Sequence, residues 1–174
     1  MERTVTSRRA YDGRLISLRV DDVELPDGRR SSREIVEHPG AVGILAWDGE
    51  RVTLVRQWRH ATGRDLLEIP AGTLDPGEEP LVTAQRELAE ECGLAADRWR
   101  PGPRFFTAPG FCTEELSLFL ATGLRDEEAE GPDDEAIEVE RPTLSEALAA
   151  VDEGRIVDAK SVAGILWLAR ELAR

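Results

Sequence analysis

Three glutamates at helical spacing near the middle of the 174-residue sequence are the best candidates for chemistry. Glu90 and Glu91 follow Glu87 by three and four positions, which places the three carboxylates on nearly one face of a helix. Carboxylates this close repel one another, and a divalent cation such as Mg²⁺ offsets the repulsion because it prefers oxygen ligands. A solvated acidic helix face is the alternative interpretation, since such surfaces are common.

The residues around these glutamates favour the metal site. Counting from Gly72, five residues lead to Glu78, and seven more lead to Arg86. Arg86 is followed by the run Glu-Leu-Ala-Glu-Glu-Cys-Gly-Leu, which ends at Leu94. This arrangement resembles the signature of the Nudix hydrolase family at every fixed position. A merely solvated acidic face is therefore the weaker of the two interpretations.

The resemblance implies an α/β (α+β) fold, namely the Nudix α/β/α sandwich with a mixed sheet. It also implies Mg²⁺ or Mn²⁺ as cofactor, with two or more ions at each site. Glu87 and Glu91 correspond to the main metal ligands of the family. Glu90 corresponds to a further ligand or a base, and the backbone carbonyl of Ala71 corresponds to one more ligand.

The other fixed positions of the motif are expected to serve structure. They are Gly72, Glu78, Arg86 and Gly93. Glu78 and Arg86 would form an ion pair that holds the loop against the helix. Gly72 and Gly93 would serve backbone geometry.

Features outside the motif resemble the ADP-ribose pyrophosphatase subgroup of the family. Pro109 lies sixteen residues beyond Gly93, in the segment Thr-Ala-Pro-Gly-Phe. The resemblance implies metal-dependent hydrolysis of ADP-ribose to AMP and ribose 5-phosphate. A nucleotide-sugar or other nucleoside-diphosphate pyrophosphatase is the nearest alternative. An alternative of another class is a non-catalytic Nudix module that binds a regulatory ligand.

The same resemblance supplies the candidate substrate contacts, which are Arg33, Glu34, Arg59, Pro109, Gly110 and Glu114. In that subgroup the N-terminal strands exchange between the two subunits of a homodimer, so Arg33 and Glu34 would contact the adenine side from the partner chain. Arg59 would bind the diphosphate, for which the forked guanidinium is suited. A solvated strand position is the alternative for Arg33 and Arg59.

Two residues compete for the role of catalytic base. Glu90 lies on the metal helix, whereas Glu135 lies in an acidic stretch ahead of the final helices, where the subgroup usually places a catalytic glutamate. Asp133, Asp134 and Glu138 compete with Glu135, and an ordinary acidic loop is equally compatible with this stretch. The base therefore stays open between Glu135 and Glu90.

Charge and composition exclude several classes of protein. The sequence has 22 Lys and Arg against 35 Asp and Glu, a formal net charge of −13, which argues against nucleic-acid binding and adsorption to anionic membranes. An anionic diphosphate can then approach the glutamates only if cations reverse the local charge. No apolar run approaches the ~20 residues that span a bilayer. The first nine residues lack the apolar core of a secretory signal, so we expect a cytoplasmic protein.

The dipeptide Pro39-Gly40 divides the sequence. Residues 1–38 are predicted to be an N-terminal β segment that serves dimerisation and substrate contact, and residues 39–174 the Nudix domain. Within that domain, the apolar runs 42–47 and 51–58 flank an Asp-Gly turn and predict a β-hairpin.

Helix limits are indicated by capping residues. Pro80 suits a first helical turn, and Gly93 supplies a left-handed stop, which together predict the catalytic helix. Thr143 and Glu146 match the capping-box pattern, and Asp158 is placed to cap a last helix.

Overall fold

The computed structural model describes residues 1–129, 131 and 136–174. Backbone contacts divide the chain into two compact units. The first consists of Met1–Gly40 and Phe105–Glu115, and the second consists of Ala41–Arg104 and Leu116–Arg174. The N-terminal unit thus includes a segment from much later in the chain.

The N-terminal unit contains the strands β1 (Arg3–Asp12), β2 (Ser17–Glu24) and β3 (Arg30–Glu37), which pair antiparallel in the order β1-β2-β3. Among residues 1–40, all of which are described, Val23 is the one buried hydrophobic side chain. The late segment joins β3 because Val36 donates to the Phe111 carbonyl at 2.7 Å and accepts from the Thr113 amide at 2.9 Å. This unit is therefore held together by hydrogen bonds rather than by a large apolar core.

Further strands follow along the described chain. They are β4 (Ala41–Trp47), β5 (Leu54–Arg59), β6 (Arg64–Glu68), β7 (Ala71–Thr73), β8 (Leu94–Phe106), β9 (Glu115–Asp126) and β10 (Ile137–Glu140). One sheet has the order β7-β4-β9-β8, with β4 parallel to β9 and antiparallel to β7. The other sheet is antiparallel, in the order β10-β5-β6. The predicted mixed sheet is confirmed.

The hairpin predicted from residues 42–47 and 51–58 forms beside its turn but does not extend along the two strands. The turn forms, with the Asp48 amide 3.2 Å from the Arg51 carbonyl, and it is continued by the bridge between Trp47 and Val52 and by the Thr53 amide, which donates to the Ala46 carbonyl at 2.9 Å. β4 is buried along nearly its whole length, so it lies between β7 and β9 at the centre of its sheet, while β5 enters the other sheet. A strand covered on both faces is typical of parallel pairing rather than of a simple hairpin.

The helices begin and end where the capping residues predict. Helix α1 (Pro80–Cys92) ends at Gly93, whose φ of 63° is left-handed. Helix α2 (Leu144–Asp152) has both hydrogen bonds of a capping box at Thr143. Helix α3 (Ala159–Leu172) is capped by Asp158, which accepts from the Ser161 amide at 3.1 Å. In the described part of the chain, no helix combines the length and apolar composition needed to cross a bilayer.

Alternate side chains of β4 explain the layers of the second unit. Val42 and Ile44 pack with Leu88 of α1 in one apolar cluster. Leu45 lies against Gly164 of α3, which leaves little room for a side chain there. Because successive strand residues point to opposite faces, α1 and α3 cover opposite faces of the sheet. This arrangement is the α/β/α sandwich that the family resemblance implied.

Candidate active site

Helix α1 presents its carboxylates on one side because its other side is anchored in the core. Ala84 and Leu88 are fully buried and belong to the apolar cluster beneath the helix. Glu87, Glu90 and Glu91 occupy positions three and four residues apart on the remaining surface. The helix thus gathers the three predicted carboxylates within one turn.

Arg86 connects three glutamates of the motif. Its Nη2 and Nε atoms lie 3.1 and 3.3 Å from the Glu78 carboxylate. Its Nη1 atom lies 2.7 Å from Glu87 Oε1 and 2.9 Å from Glu90 Oε2. Pairing with Arg86, assisted by the Thr83 hydroxyl, holds the pKa of Glu78 below its usual value. The ion pair expected between Glu78 and Arg86 is present and fixes the loop to the helix.

The side chain of Glu87 is 14% exposed, whereas that of Glu90 is 35% exposed. Burial raises the pKa of Glu87, Arg86 partly counteracts this effect, and the negative charges of Glu90 and Glu78 raise the pKa further. The ionised Glu87 carboxylate is therefore in an environment that additional positive charge would relieve.

Gly72 is required by the position of Glu87. A Cβ atom at Gly72 would overlap the carboxyl group of Glu87. Gly72 does not have a positive φ, whereas Gly93 does. Gly93 has the left-handed backbone that favours glycine, whereas at Gly72 the absent side chain makes room for a carboxylate.

Glu91 reaches the same strand as Glu87. The Ala71 amide donates to Glu91 Oε2 at 3.0 Å. Ala71 also lies opposite Gly43 in the pairing of β7 with β4, so its peptide is held from two sides. The structure therefore brings Ala71, Glu87 and Glu91 together; the role of the Ala71 carbonyl as a ligand stays a prediction.

The donor set fits a hard divalent cation. Glu87 and Glu91 lie one helical turn apart beside the backbone of β7, and oxygen donors of this kind suit Mg²⁺ and Mn²⁺. Within the described residues, no three His, Cys, Asp or Glu side chains converge as a ready-made cluster. A cation here would complete its shell with backbone, water or substrate oxygens, as Mg²⁺ commonly does.

Arg59, the candidate diphosphate ligand, ends β5 and forms a two-point ion pair with Glu68 at the end of β6. Glu68 was not among the residues predicted to matter. The available signal was a glutamate within the run Leu66-Leu67-Glu68-Ile69, whose other members are buried and apolar. A charged residue in such a run needs a partner of opposite charge.

The N-terminal unit holds the other candidate substrate contacts. Arg33 pairs with Glu2 through contacts of 2.5 and 3.1 Å. Glu34 is exposed on β3. Pro109 and Gly110 lie together in a turn.

Glu114 closes the loop that carries this turn. It accepts from the Thr107 hydroxyl at 2.5 Å, and its carbonyl accepts from the Thr107 amide at 3.2 Å. His38 Nε2 lies 3.8 Å from the Glu114 carboxylate. Glu114 therefore has at least a structural role in its loop, and its contact with substrate stays a prediction.

Of the two candidate bases, Glu90 lies within the described residues and Glu135 does not. Glu90 is bonded to Arg86 on α1. Glu135, together with Asp133 and Asp134, lies outside the described residues. Glu138 lies in β10, opposite Arg56 of β5. The choice of base stays a prediction.

Both parts of the chain match known protein families. Residues 37–163 match the NUDIX domain, and residues 2–36 match the nucleoside diphosphate sugar hydrolase N-terminal domain. The ADP-ribose pyrophosphatase of Bacillus subtilis (strain 168) is 44% identical over 170 residues, which cover 96% of this chain and 92% of that protein. The methanol dehydrogenase activator of Bacillus methanolicus has the same identity and coverage.

A solved structure supports the fold. The crystal structure of an ADP compounds hydrolase superposes with a TM-score of 0.89 at 23% identity and covers 99% of this chain and 94% of that one. The structure thus combines α/β/α layers with a helix that carries the three glutamates of the motif. The chain belongs to the Nudix hydrolase family.

Proposed function

We propose that the protein hydrolyses ADP-ribose to AMP and ribose 5-phosphate with the help of Mg²⁺ or Mn²⁺. The observation that carries this proposal is the complete motif on α1 and β7, where Glu87, Glu91 and Ala71 lie together. The relative named ADP-ribose pyrophosphatase supports ADP-ribose as the substrate, since it is 44% identical over nearly the whole chain.

The metal would be held by Glu87 and Glu91, with Glu90 and the Ala71 carbonyl as further ligands and two or more ions at each site. When bound, such cations supply positive charge that polarises the phosphoryl oxygens. This charge is needed because the substrate is an anion and the chain itself carries −13.

The other residues bind substrate and move a proton. Arg59 offers a forked guanidinium to the diphosphate. Glu135 or Glu90 accepts the proton of the attacking water. Glu114 would contact the substrate, and the Pro109-Gly110 turn would contact its terminal ribose.

A nucleotide-sugar pyrophosphatase is the second candidate function. The match of residues 2–36 to a domain named for nucleoside diphosphate sugar hydrolases favours it. A non-catalytic regulatory module is disfavoured because the three proposed metal ligands of the motif, Glu87, Glu90 and Glu91, are all present on α1.

A substrate panel tests the proposal. We expect kcat/KM for ADP-ribose to exceed that for ADP-glucose, GDP-mannose, NADH and 8-oxo-dGTP by at least about tenfold, because discrimination comes from contacts to the group beyond the diphosphate. Products would be separated by anion-exchange chromatography. Chelation should abolish turnover while the circular dichroism spectrum is unchanged.

Three outcomes would contradict parts of the proposal. A higher kcat/KM for ADP-glucose or GDP-mannose would favour the nucleotide-sugar alternative. Tight binding of ADP-ribose without cleavage would favour the regulatory module. Unfolding on chelation would give the metal a structural role.

The proposed active form is a homodimer in which residues 1–38 serve the site of the partner subunit. The N-terminal sheet has a single buried hydrophobic side chain among residues 1–40, while Tyr11 and Leu15 are exposed. A small sheet of this kind needs another surface to be stable. The cytoplasmic location and the lack of a nucleic-acid partner also stay predictions.

Complementation between inactive subunits tests the exchange. Co-expression of Glu87→Gln and Arg33→Ala chains would give mixed dimers with one intact site if Arg33 acts on the partner's site, so about one quarter of wild-type activity should return after random pairing. Light scattering would establish the dimer. Each variant alone serves as its control, and activity no higher than the mean of the two variants would contradict the exchange.

A further inference from the structure

Glu68 is an enclosed carboxylate shared by two cations. Its side chain is 2% exposed, and it accepts from Arg59 Nε at 3.0 Å and from Arg59 Nη2 at 2.8 Å. Lys160, in the first turn of α3, donates to the same carboxylate. Lys160 also donates at 3.0 Å to Asp158, the residue that caps α3. The four side chains form one continuous network.

Glu68 is ionised in this network. Burial by itself raises the pKa of the carboxyl group, but the hydrogen bonds and charges of Arg59 and Lys160 outweigh burial and bring the pKa below its ordinary value. An ionised group this deep in the protein is costly without partners. Glu68 therefore cannot turn away from Arg59 without leaving a poorly compensated charge.

Helix α3 also fixes the backbone next to Glu68. The Ile69 amide donates to Ser161 Oγ at 2.8 Å, and both residues are buried. Ser161 follows Lys160 in the first turn of the helix. The same helical turn thus holds the end of β6 through Ser161 and the carboxylate through Lys160.

The exposed end of the network is Arg59. A two-point pair with a carboxylate fixes the plane of a guanidinium. Glu68 accepts from both the Nε and the Nη2 atoms of the guanidinium. The Arg59 side chain is 35% exposed, whereas its anchor is inside the protein. The buried Glu68 carboxylate therefore sets the orientation of the Arg59 guanidinium.

We propose that Glu68 and Lys160 are positioning residues, which hold the Arg59 guanidinium in the orientation that binds the substrate diphosphate. The inference rests on the proposed function, in which Arg59 contacts the diphosphate. A mobile arginine loses side-chain freedom when it binds, whereas a guanidinium already fixed by Glu68 loses little. The network should therefore affect KM and not only stability.

The same strand provides a matched control. Arg56 forms an ion pair with Glu140 of β10, at 2.8 Å from Nε and 2.6 Å from Nη2. Arg56 precedes Arg59 by three residues, so the two side chains leave opposite faces of β5. Glu140→Gln therefore removes a pair of similar chemistry on the other face of the strand.

Kinetics with ADP-ribose and thermal unfolding test the inference. We expect Glu68→Gln to raise KM at least about tenfold while kcat changes less than about threefold. Lys160→Met should raise KM about threefold, and Lys160→Arg should restore it because a cation returns to the carboxylate. Glu140→Gln should leave KM unchanged.

Non-additivity separates positioning from a structural role. In an Arg59→Ala background, Glu68→Gln should raise KM no further, because the group that it positions is gone. Lower stability of Glu68→Gln with an unchanged KM, or additive effects on KM, would overturn the inference. If Glu68→Gln does not fold, a wild-type KM in folded Lys160→Met would overturn it.

A spectroscopic measurement does not depend on activity. Solvent exchange of the Arg59 Nε–H, followed by NMR, should be faster in Glu68→Gln than in wild type, and equal rates would overturn the inference. Absence of turnover with every diphosphate would instead contradict the proposed function. The two failures are therefore distinguishable.

Discussion

Replacement of Glu87 or Glu91 by glutamine is expected to reduce kcat at least about 100-fold while the protein remains folded. Each change removes one negative charge from the proposed metal site. Stability should change little at Glu87, because burial raises the pKa of this carboxyl and so disfavours its charged form. Steady-state turnover of ADP-ribose at saturating Mg²⁺, with thermal unfolding in parallel, would measure both effects.

Glu79→Gln is the matched control for these variants. Glu79 precedes the same helix, is exposed, and makes no capping hydrogen bond through its side chain. Near-wild-type turnover is expected for Glu79→Gln. Near-wild-type turnover of Glu87→Gln and Glu91→Gln would exclude these residues as the main metal ligands.

Glu90→Gln separates the two candidates for the base. If Glu90 is only a ligand, its loss should be partly rescued at high Mg²⁺, because mass action compensates for weaker binding. In that case Glu135→Gln should lower kcat and remove the acid limb of the kcat profile. A collapse of Glu90→Gln that Mg²⁺ does not rescue, with a normal pH profile in Glu135→Gln, would assign the base to Glu90.

The sequence predicted the helices well because their ends depend on nearby residues. Gly93 ends α1 through its own left-handed backbone. Thr143 and Glu146 form the capping box of α2 within four residues of chain. The motif on α1 was equally accessible, since helical spacing alone places its carboxylates together.

Pairings between distant residues were not accessible in the same way. Residues 41–47 pair in parallel with residues 116–122, and no local signal distinguishes this pairing from a hairpin. The contact between Glu68 and Lys160 joins residues 92 positions apart. The apolar run around Glu68 indicated that a charge was buried, but not which cations would compensate it.

Gly72→Ala is expected to inactivate the enzyme through Glu87 rather than through the backbone. The φ of Gly72 is not positive, so the chain itself accepts alanine. The new Cβ would overlap the Glu87 carboxyl group, which must then move away from β7. We expect kcat to fall at least about 100-fold, as in Glu87→Gln, because the same proposed ligand is lost.

Two further variants test whether the loss of activity in Gly72→Ala is caused by displacement of Glu87. Gly77→Ala, in the loop before α1, has positive φ but open space around its Cβ; it should lose about 1 kcal/mol of stability and retain activity. The double variant Gly72→Ala/Glu87→Gln should be no less active than Glu87→Gln alone, because both changes remove one carboxylate from the site. Multiplicative losses in the double variant would show that Gly72 contributes independently of Glu87. Wild-type turnover in Gly72→Ala would show that the position of Glu87 against β7 is not needed for catalysis.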